Sequence, residues 1–478
     1  MDLTSWLGEG SVVQVQKSVR EPAGAFSVTF VDELMNGLDD GLSYLIEPQD
    51  MIEIRFAGDA YKYSGGSGQK LPIIMRGFVS KVRRSQTMGS DGKPRREVHV
   101  TGHDYQKLLQ LIQITNLVGT PDVANVINSF PLFSKYGTDL NVQNSTDFVL
   151  QVFNQIVNKF ISGMQAAGAT SGAALKAVAT DIQVPSALVS VQLGAFNNGN
   201  VQQLLNEYLD TGPFNEFFIE DRDAGPWGPA GPYAVYRPMP YFGPVSRVPL
   251  QPIQDSVTTG VDPASPLAPN ANCVTIETDS IISISAERSD SGVANMFWVD
   301  APRFNMNYDD LPKQYAAYAE QGNVPPYYLT TYQNVNPALY GIRRMDAETQ
   351  QGGINEKNSG NGTPAGEDRW NNQNAFLGWI DNRRDLLILM NQDNIVFESG
   401  SMRLRGNEKI RAGSYVQVNY GNGIQSLYYA YSVTHVFEPF GNYFTEVEFD
   451  RSTNFVDHFA AAQSGANPYF GEMLAPGN

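Results

Sequence analysis

The chain has 478 residues, which is too long for a single hydrophobic core and predicts two to four domains. Hydrophobic residues make up 42% of it, enough to build cores, so a disordered protein is excluded. The formal net charge of −17 excludes a general nucleic-acid binder, because neutralising phosphates requires an excess of lysine and arginine.

The first hundred residues predict strands only. Between positions 25 and 30, Phe26, Val28 and Phe30 fall on one face of an alternating pattern, which is typical of a strand with one buried side. Glycine-rich stretches at 64–68 and 88–92 indicate turns between strands. We therefore interpret 1–103 as a first β-domain. We interpret the basic residues of this domain as a solvated hairpin face, and contact with an acidic protein is the alternative. These basic residues are Arg76, Lys81, Arg83, Arg84, Lys93, Arg95 and Arg96.

After Asp104 the apolar spacing changes from that of strands to that of helices, and 104–223 is predicted to be a mostly helical insertion. Its clearest helix follows Ser145 and carries a wide apolar stripe from Phe148 to Met164. A stripe of this width favours a core helix, and a helix at a subunit interface is the alternative. A second amphipathic helix is predicted over 201–209, ended by Gly212 and Pro213.

The prolines of 224–272 predict an extended linker without central strands, because proline lacks the N–H that a ladder needs. Strand patterns return at Cys273, and 273–394 is interpreted as a mixed segment that begins a second β-domain. Residues 352–374 within it are nearly devoid of apolar side chains and predict a surface loop. The closing strands are expected over 395–460, and 461–478 is expected to be a tail.

One ordered pattern occurs near both ends of the chain: a turn, an alternating strand, a second strand and a third alternating strand. The first copy begins at Pro48 and continues through 77–82 and 97–100, and the second begins at Ala412 and continues through 431–436 and 446–449. Ile52, Ile54 and Phe56 share one face of the first alternating strand, as Val416, Val418 and Tyr420 do in the second. The pattern predicts two related β-domains in one polypeptide.

The sequence contains no catalytic constellation, and we expect no cofactor and no metal. His99 and His103 lie on a predicted strand, where four residues span about 13 Å, and no third ligand stands out. His435 is interpreted as a structural histidine. The acidic groups 39–40 and 220–223 allow a calcium site or a glycosidase pair, but turn-forming acids are favoured. No nucleophile elbow occurs, and Cys273, the only cysteine, excludes an intrachain disulfide.

With the strands and the duplication in place, the chain resembles the baseplate hub proteins of phage tails, a family that includes the hub part of type VI secretion spike proteins. The residues that carry the resemblance lie at 25–30, 47–54, 75–79 and 100–104 in the first copy, and at 402–406, 410–416, 429–435 and 444–451 in the second. The fold expected is mainly β with α insertions (α+β), with two tail-tube-like β-barrel or sandwich domains in tandem, separated by the helical insertion and the proline-rich linker.

The resemblance implies a structural homotrimer with pseudo-six-fold symmetry that adapts a hexameric tail tube to a trimeric central spike. It also implies a DNA channel without specific binding, contacts with tape measure and other baseplate proteins, and a place in the virion tail after assembly in the host cytoplasm. No signal peptide or membrane anchor is expected. The candidate assembly residues are Ile52, Ile54, Arg76, Arg83, Arg84, Val416, Val418, Tyr429 and Tyr431.

Other classes stay open: another tail structural protein, such as a distal tail protein, a tail-associated cell-wall hydrolase, or a receptor-binding β protein. The resemblance to the hub family, rather than any residue pattern, favours a contractile tail.

Overall fold

A computed structural model describes residues 2–32, 41–59, 70–115, 145–167, 175–184, 198–239, 273–300, 327–329, 335–349 and 380–453, with short gaps at 89, 91, 93, 226–227, 381–382, 389, 392–393, 396 and 422–423. The fold is mainly β with a helical insertion, as the sequence predicted. None of the helices in the described ranges is both long and apolar enough to span a bilayer.

The first β-unit contains five strands: β1 (Val12–Ser18), β2 (Ala25–Val31), β3 (Met51–Arg55), β4 (Ile73–Met88) and β5 (Pro94–Asp104). They pair antiparallel in the order β1-β2-β5-β4-β3. The alternation predicted for β2 is confirmed, since Phe26, Val28 and Phe30 are buried in one cluster with Val98 and Val100 of β5.

The helical insertion follows directly, and its elements are α1 (Gln106–Leu111), β6 (Gln113–Thr115), α2 (Ser145–Val152), a π-helical turn (Phe153–Val157), α3 (Asn158–Ala166), β7 (Ala179–Ile182), β8 (Asn198–Asn200) and α4 (Val201–Tyr208). Both predicted helices are confirmed. Asn200 begins α4 with a capping box: its side chain accepts from the Gln203 N–H at 2.8 Å, and the Gln203 side chain accepts from the Asn200 N–H at 3.0 Å.

The wide apolar stripe of this insertion packs inside the chain's own core. Phe148, Val152, Phe153 and Val157 are fully buried beside α4 and beside residues of β4 and of a later strand, β9 (Asn215–Arg222). This burial supports the core-helix interpretation of the stripe over the subunit-interface alternative.

The proline-rich linker prediction is wrong for part of its length. Strand β10 (Gly231–Pro238) is the central strand of a three-stranded sheet, between β7, which is parallel to it, and β9 (Asn215–Arg222), which is antiparallel. Its prolines, Pro232 and Pro238, stand near its two ends, and the run between them contains none, so the ladder keeps its N–H donors. Residues 240–272, which complete the predicted linker, lie outside the described residues, as do the predicted loop 352–374 and the predicted tail 461–478.

The second β-unit is formed by β12 (Ile281–Glu287), β16 (Glu398–Arg405), β17 (Ser414–Gly421), β18 (Ile424–Phe437) and β19 (Tyr443–Thr453), with β11 (Cys273–Glu277) parallel to β17. Between β12 and β16 the chain forms a small separate sheet of β13 (Met296–Asp300), β14 (Tyr327–Leu329) and β15 (Arg344–Glu348), with α5 (Pro337–Tyr340) before β15. Short 3₁₀ turns lie at Thr4–Trp6, Leu42–Tyr44, Thr278–Ser280 and Asp290–Gly292.

Both β-units belong to a single sheet of eleven strands, because β1 pairs with β18. The sequence predicted barrel or sandwich domains in tandem. Within the described residues the strand path of this sheet is open, so no closed barrel is formed by one chain. The two units are therefore parts of one hydrogen-bonded sheet.

Candidate functional site

The two β-units have the same strand order and nearly the same register. The second unit runs β12-β16-β19-β18-β17, which repeats the order of β1-β2-β5-β4-β3 strand for strand. Matching the ladders places Val28 with Met402 and Val79 with Ala430. The sequence pattern found three of these five matched strands, and the structure adds the other two.

Two irregularities confirm the match because they recur at matched positions. The ladder between β4 and β5 shifts register between Val79 and Lys81, and the ladder between β18 and β19 shifts between Ala430 and Ser432. Each shift marks a β-bulge, which re-aims a strand. The turns before β3 and β17 also match: Gln49 has φ 75° and Gly413 has φ 82°. The duplication therefore extends to the backbone conformation.

The junction between the units is the antiparallel ladder between β1 and β18. Strand β18 is long enough to hold two partners along one edge: Ile424–Ala430 pairs with β17, and Ser432–Phe437 pairs with β1. Val13 and Val15 of β1 are 4% and 1% exposed at this junction. The junction is therefore a packed, continuous part of the sheet.

A group of charged residues connects the junction to the small β7-β10-β9 sheet. The Lys17 ammonium donates to Asp221 Oδ2 at 2.7 Å and lies 3.5 Å from Asp104 Oδ2. Burial alone would lower the pKa of Lys17, but the Asp221 and Asp104 carboxylates outweigh it and hold that pKa above its ordinary value. From the second unit, Arg411 donates to the backbone oxygens of Asp221 at 2.6 Å and of Ile73 at 2.7 Å. Strands β1, β5 and β9 and the turn before β17 thus share one ionic group.

A second buried group joins the same small sheet to the second unit. The Tyr429 hydroxyl donates to the Glu216 carboxylate at 2.6 Å, and Arg237 Nη2 lies 3.2 Å from Glu216 Oε2 and donates to the Gly413 carbonyl at 2.7 Å. Burial raises the pKa of Glu216 and of Tyr429. These polar groups are all nearly inaccessible, so they position the units relative to each other.

A small cavity of about 30 Å³ lies where these parts meet. It is lined by residues of both β-units and of β9, among them Lys17, Asp221, Arg411 and His435. Asp221 Oδ1 has no hydrogen-bond partner among the described residues. The size and polar lining suit ordered water, so the cavity is part of the junction's polar packing.

The nine residues predicted for assembly fall into two groups. Ile54, Arg76, Val416, Val418 and Tyr429 are buried in this chain, where they pack its own core or its ionic groups. Arg83 and Arg84 are exposed on the second half of β4, and Ile52 and Tyr431 are half-buried. The second group keeps surface for a partner, and its role stays a prediction. Sequence reasoning did not single out Lys17 or Glu216, and it considered Asp221 only as one of the acids at 220–223. A sequence pattern could have indicated Lys17, because it stands two residues after Val15 and four after Val13 and so shares the inward face of β1 with them.

The histidines and acids have structural partners. His435 is buried, with Nε2 3.1 Å from the Ile410 carbonyl and Nδ1 3.0 Å from the Tyr443 hydroxyl, so its structural interpretation is confirmed. His99 lies on β5 beside Thr29, and His103 beside the Gly24 carbonyl. The acids at 220–223 are not a turn: Glu220, Asp221 and Asp223 pair with basic side chains at the end of β9. Asp39, Asp40 and His458 lie outside the described residues.

No group of three or more histidine, cysteine, aspartate or glutamate residues suited to a metal ion occurs in the described part of the chain. The outer edge of β12 and the second half of β4 are exposed along almost their whole length.

No protein-family model matches the chain, and no curated protein is similar to it in sequence. Several solved structures are similar to it. They include the tail protein from Neisseria meningitidis MC58 (11% identity, 92% of this chain and 91% of that chain, TM-score 0.41) and the prophage tail protein gp18 from Listeria monocytogenes EGD-e (11% identity, 95% and 92%, TM-score 0.40).

A third is the E. coli c3393 protein, a component of the type VI secretion system with structural similarity to the T4 bacteriophage tail proteins gp27 and gp5 (8% identity, 94% of this chain and 75% of that chain, TM-score 0.37).

Proposed function

We propose that this chain is a structural protein of a phage tail, and specifically its baseplate hub. In this role three copies form a ring with pseudo-six-fold symmetry, which joins a hexameric tail tube to a trimeric central spike. The observation that supports the proposal best is the repetition of one five-strand order within a single continuous sheet. A ring of six similar units built from three chains needs a duplicated unit in each chain, because closed symmetry requires matching faces.

The junction between the units supports a permanent structural role. The ionic group around Lys17 and the buried group around Glu216 hold both units against the same three-stranded sheet. Buried, hydrogen-bonded polar groups favour one arrangement over others, because any shift would leave charges without partners. An adaptor between two symmetries needs such a fixed spacing between its units.

The charge of the chain suits a channel through which DNA passes without binding. A net charge of −17 repels phosphates, and basic patches would retain the genome by displacing its counterions. In the proposed assembly the chain also contacts the tape measure protein and other baseplate proteins and is part of the virion after assembly in the host cytoplasm. The proposal includes no enzymatic activity and no cofactor.

The mass of the purified chain in solution tests this function, measured by light scattering from dilute to concentrated samples and paired with symmetry averages of negative-stain images. We expect a trimer that appears as a ring with six similar lobes. Addition of the cognate spike protein serves as a second condition, because the spike's three-fold axis favours ring closure. A dimer, a helical polymer, or a monomer that persists with the spike present would contradict the proposed function.

A further inference from the structure

The two β-units differ at one pair of edges. In the first unit the outer edge of β1 is covered by β18, whereas the outer edge of its counterpart β12 carries no strand among the described residues. In the second unit the Ser432–Phe437 half of β18 is covered by β1. The matching half of β4, from Lys81 to Gln86, pairs only with β5 in the described part of the chain. The β1–β18 junction therefore forms once within the chain. The counterparts of its two strands, β12 and the second half of β4, each have an edge that no described strand covers.

The residues at the uncovered edge are of the kind that the junction buries. The ladders match Val13 with Ile284 and Val15 with Ala286. Val13 is 4% exposed, whereas Ile284 is 41% exposed, and Ala286 is exposed as well. An exposed strand edge with apolar side chains pairs readily with another chain. Strand β12 thus has the composition of a strand that is covered in the assembly.

We propose that β12 of one copy pairs antiparallel with the second half of β4 of a neighbouring copy, and so repeats the β1–β18 junction between chains. This inference rests on the proposed function and deepens it by naming the two surfaces that meet. Within the chain, Val13 lies opposite Phe437 and Gln16 opposite Thr434. Transferring this register through the matched positions places Ile284 opposite Gln86, Ser285 opposite Ser85, and Glu287 opposite Arg83.

The charges of the two edges agree with this register. Glu287 is exposed at the end of β12, and Arg83 is exposed on β4. Opposite charges that face each other across an antiparallel pair stabilise it, and like charges destabilise it. Neither Glu287 nor Arg83 has a charged counterpart at the matched positions of the internal junction, which are Gln16 and Thr434. The charged pair therefore belongs to the contact between chains.

The two edges lie at opposite ends of the sheet, so each chain uses both of them with different neighbours. Such a head-to-tail contact either closes into a ring or continues as a filament. A ring of three chains then alternates three internal junctions with three junctions between chains. All six contacts are of one kind, as pseudo-six-fold symmetry requires.

Disulfide cross-linking tests the register in the full-length chain. With Cys273→Ser as the background, the double variant Ser85→Cys with Ser285→Cys is oxidised and separated on a denaturing, non-reducing gel. Opposed residues of an antiparallel pair have Cα atoms about 4.5 to 5.5 Å apart, within reach of a disulfide. We expect covalent dimers and trimers from the double variant and none from either single variant.

Two matched controls calibrate this experiment. Gln14→Cys with Val436→Cys places thiols at the same positions of the internal junction and should give a disulfide within one chain. Ser85→Cys with Ser283→Cys shifts one thiol by two residues along β12 and should cross-link far less. If the internal control forms its bond and the in-register pair does not, while six-lobed rings still form, the edge assignment is overturned and the proposed function stands.

Cross-linked filaments without rings would support the pairing of the edges and contradict the hub function. A chain that stays monomeric and gives no cross-link would contradict both. Charge reversal provides an independent measurement: Glu287→Arg should weaken association roughly tenfold, because each ring repeats the like-charge contact. Adding Arg83→Glu should restore it. If the double variant associates as weakly as Glu287→Arg alone, residues 287 and 83 do not lie opposite each other, and the proposed register is contradicted.

Discussion

The ammonium of Lys17 on β1 lies 2.7 Å from the Asp221 carboxylate on β9, at the point where the two β-units and the small three-stranded sheet meet. The Asp221 side chain is 1% exposed, and Asp104, the second carboxylate near Lys17, is 3% exposed. Lys17 thus forms ion pairs with both of these nearly inaccessible acids. Burial raises the pKa of Asp104, so its charged form relies on that lysine.

Replacing this lysine tests how strongly the junction depends on it. Lys17→Met keeps the length of the side chain and removes its charge, and with it the ion pairs to Asp221 and Asp104. Breaking a buried pair in this way costs about 3 to 5 kcal/mol. We expect a fall of that size in the free energy of unfolding, measured by urea denaturation. Lys409→Met, at an exposed residue of the turn before β17, is the control and should change it by about 0.5 kcal/mol or less.

The buried imidazole of His435 should make stability depend on pH. Burial, helped by the positive charge of Arg411, lowers the pKa of His435 to about 3. The unfolded chain protonates this residue near its ordinary value, and the folded chain resists protonation. Stability from this residue is therefore present above pH 6.5 and is lost as the pH falls from 6.5 towards 3.

We expect His435 to contribute a loss of about 2 kcal/mol between pH 7 and pH 5, at 1.36 kcal/mol per pH unit below the unfolded pKa. The measurement compares urea unfolding of the natural chain and of His435→Gln at both values. The difference between the two proteins isolates this residue, because Asp104 and Glu216 titrate in both. An equal pH dependence in the two proteins would contradict the prediction.

The hydroxyl of Tyr429 should contribute to the free energy of unfolding beyond what the contacts of its ring contribute. Tyr429→Phe keeps the packing against Tyr415 and removes the donor that Glu216 accepts at 2.6 Å. A lost hydrogen bond to a buried charged group costs about 1.5 to 3 kcal/mol. Thermal and urea unfolding should both report this loss. Tyr44→Phe, at a residue that is 57% exposed, is the control and should leave stability nearly unchanged.

Two glycines are predicted to respond in opposite directions to the same substitution. A Cβ on Gly102 of β5 would overlap the Phe78 carbonyl and the Phe26 ring, whereas a Cβ on Gly163 of α3 meets nothing nearby. Gly102→Ala should therefore destabilise the chain by about 1 to 3 kcal/mol through overpacking. Gly163→Ala should stabilise it by about 0.5 to 1 kcal/mol, because alanine is the better helix former. If the two substitutions change the free energy of unfolding in urea equally, the close packing described around Gly102 is contradicted.

The sequence patterns predicted the elements whose burial has a local period. The alternation of Phe26, Val28 and Phe30 marked β2, and the stripe from Phe148 marked α2 and α3, because each element buries one face. Strand β10 was missed because its flanking prolines dominate the local composition. A strand tolerates proline near its ends, and that tolerance depends on which N–H groups the neighbouring strands use.

By itself, the sequence determined that the chain is mainly β, that a helical segment interrupts it, and that one strand pattern occurs twice. Those properties follow from interactions between residues that are close in the chain. Only the tertiary structure decided that the two copies share a sheet, since Val13 pairs with Phe437 across almost the whole length of the chain. It also decided which edges are covered and which are open, because pairing between distant strands depends on register and burial that no local period records.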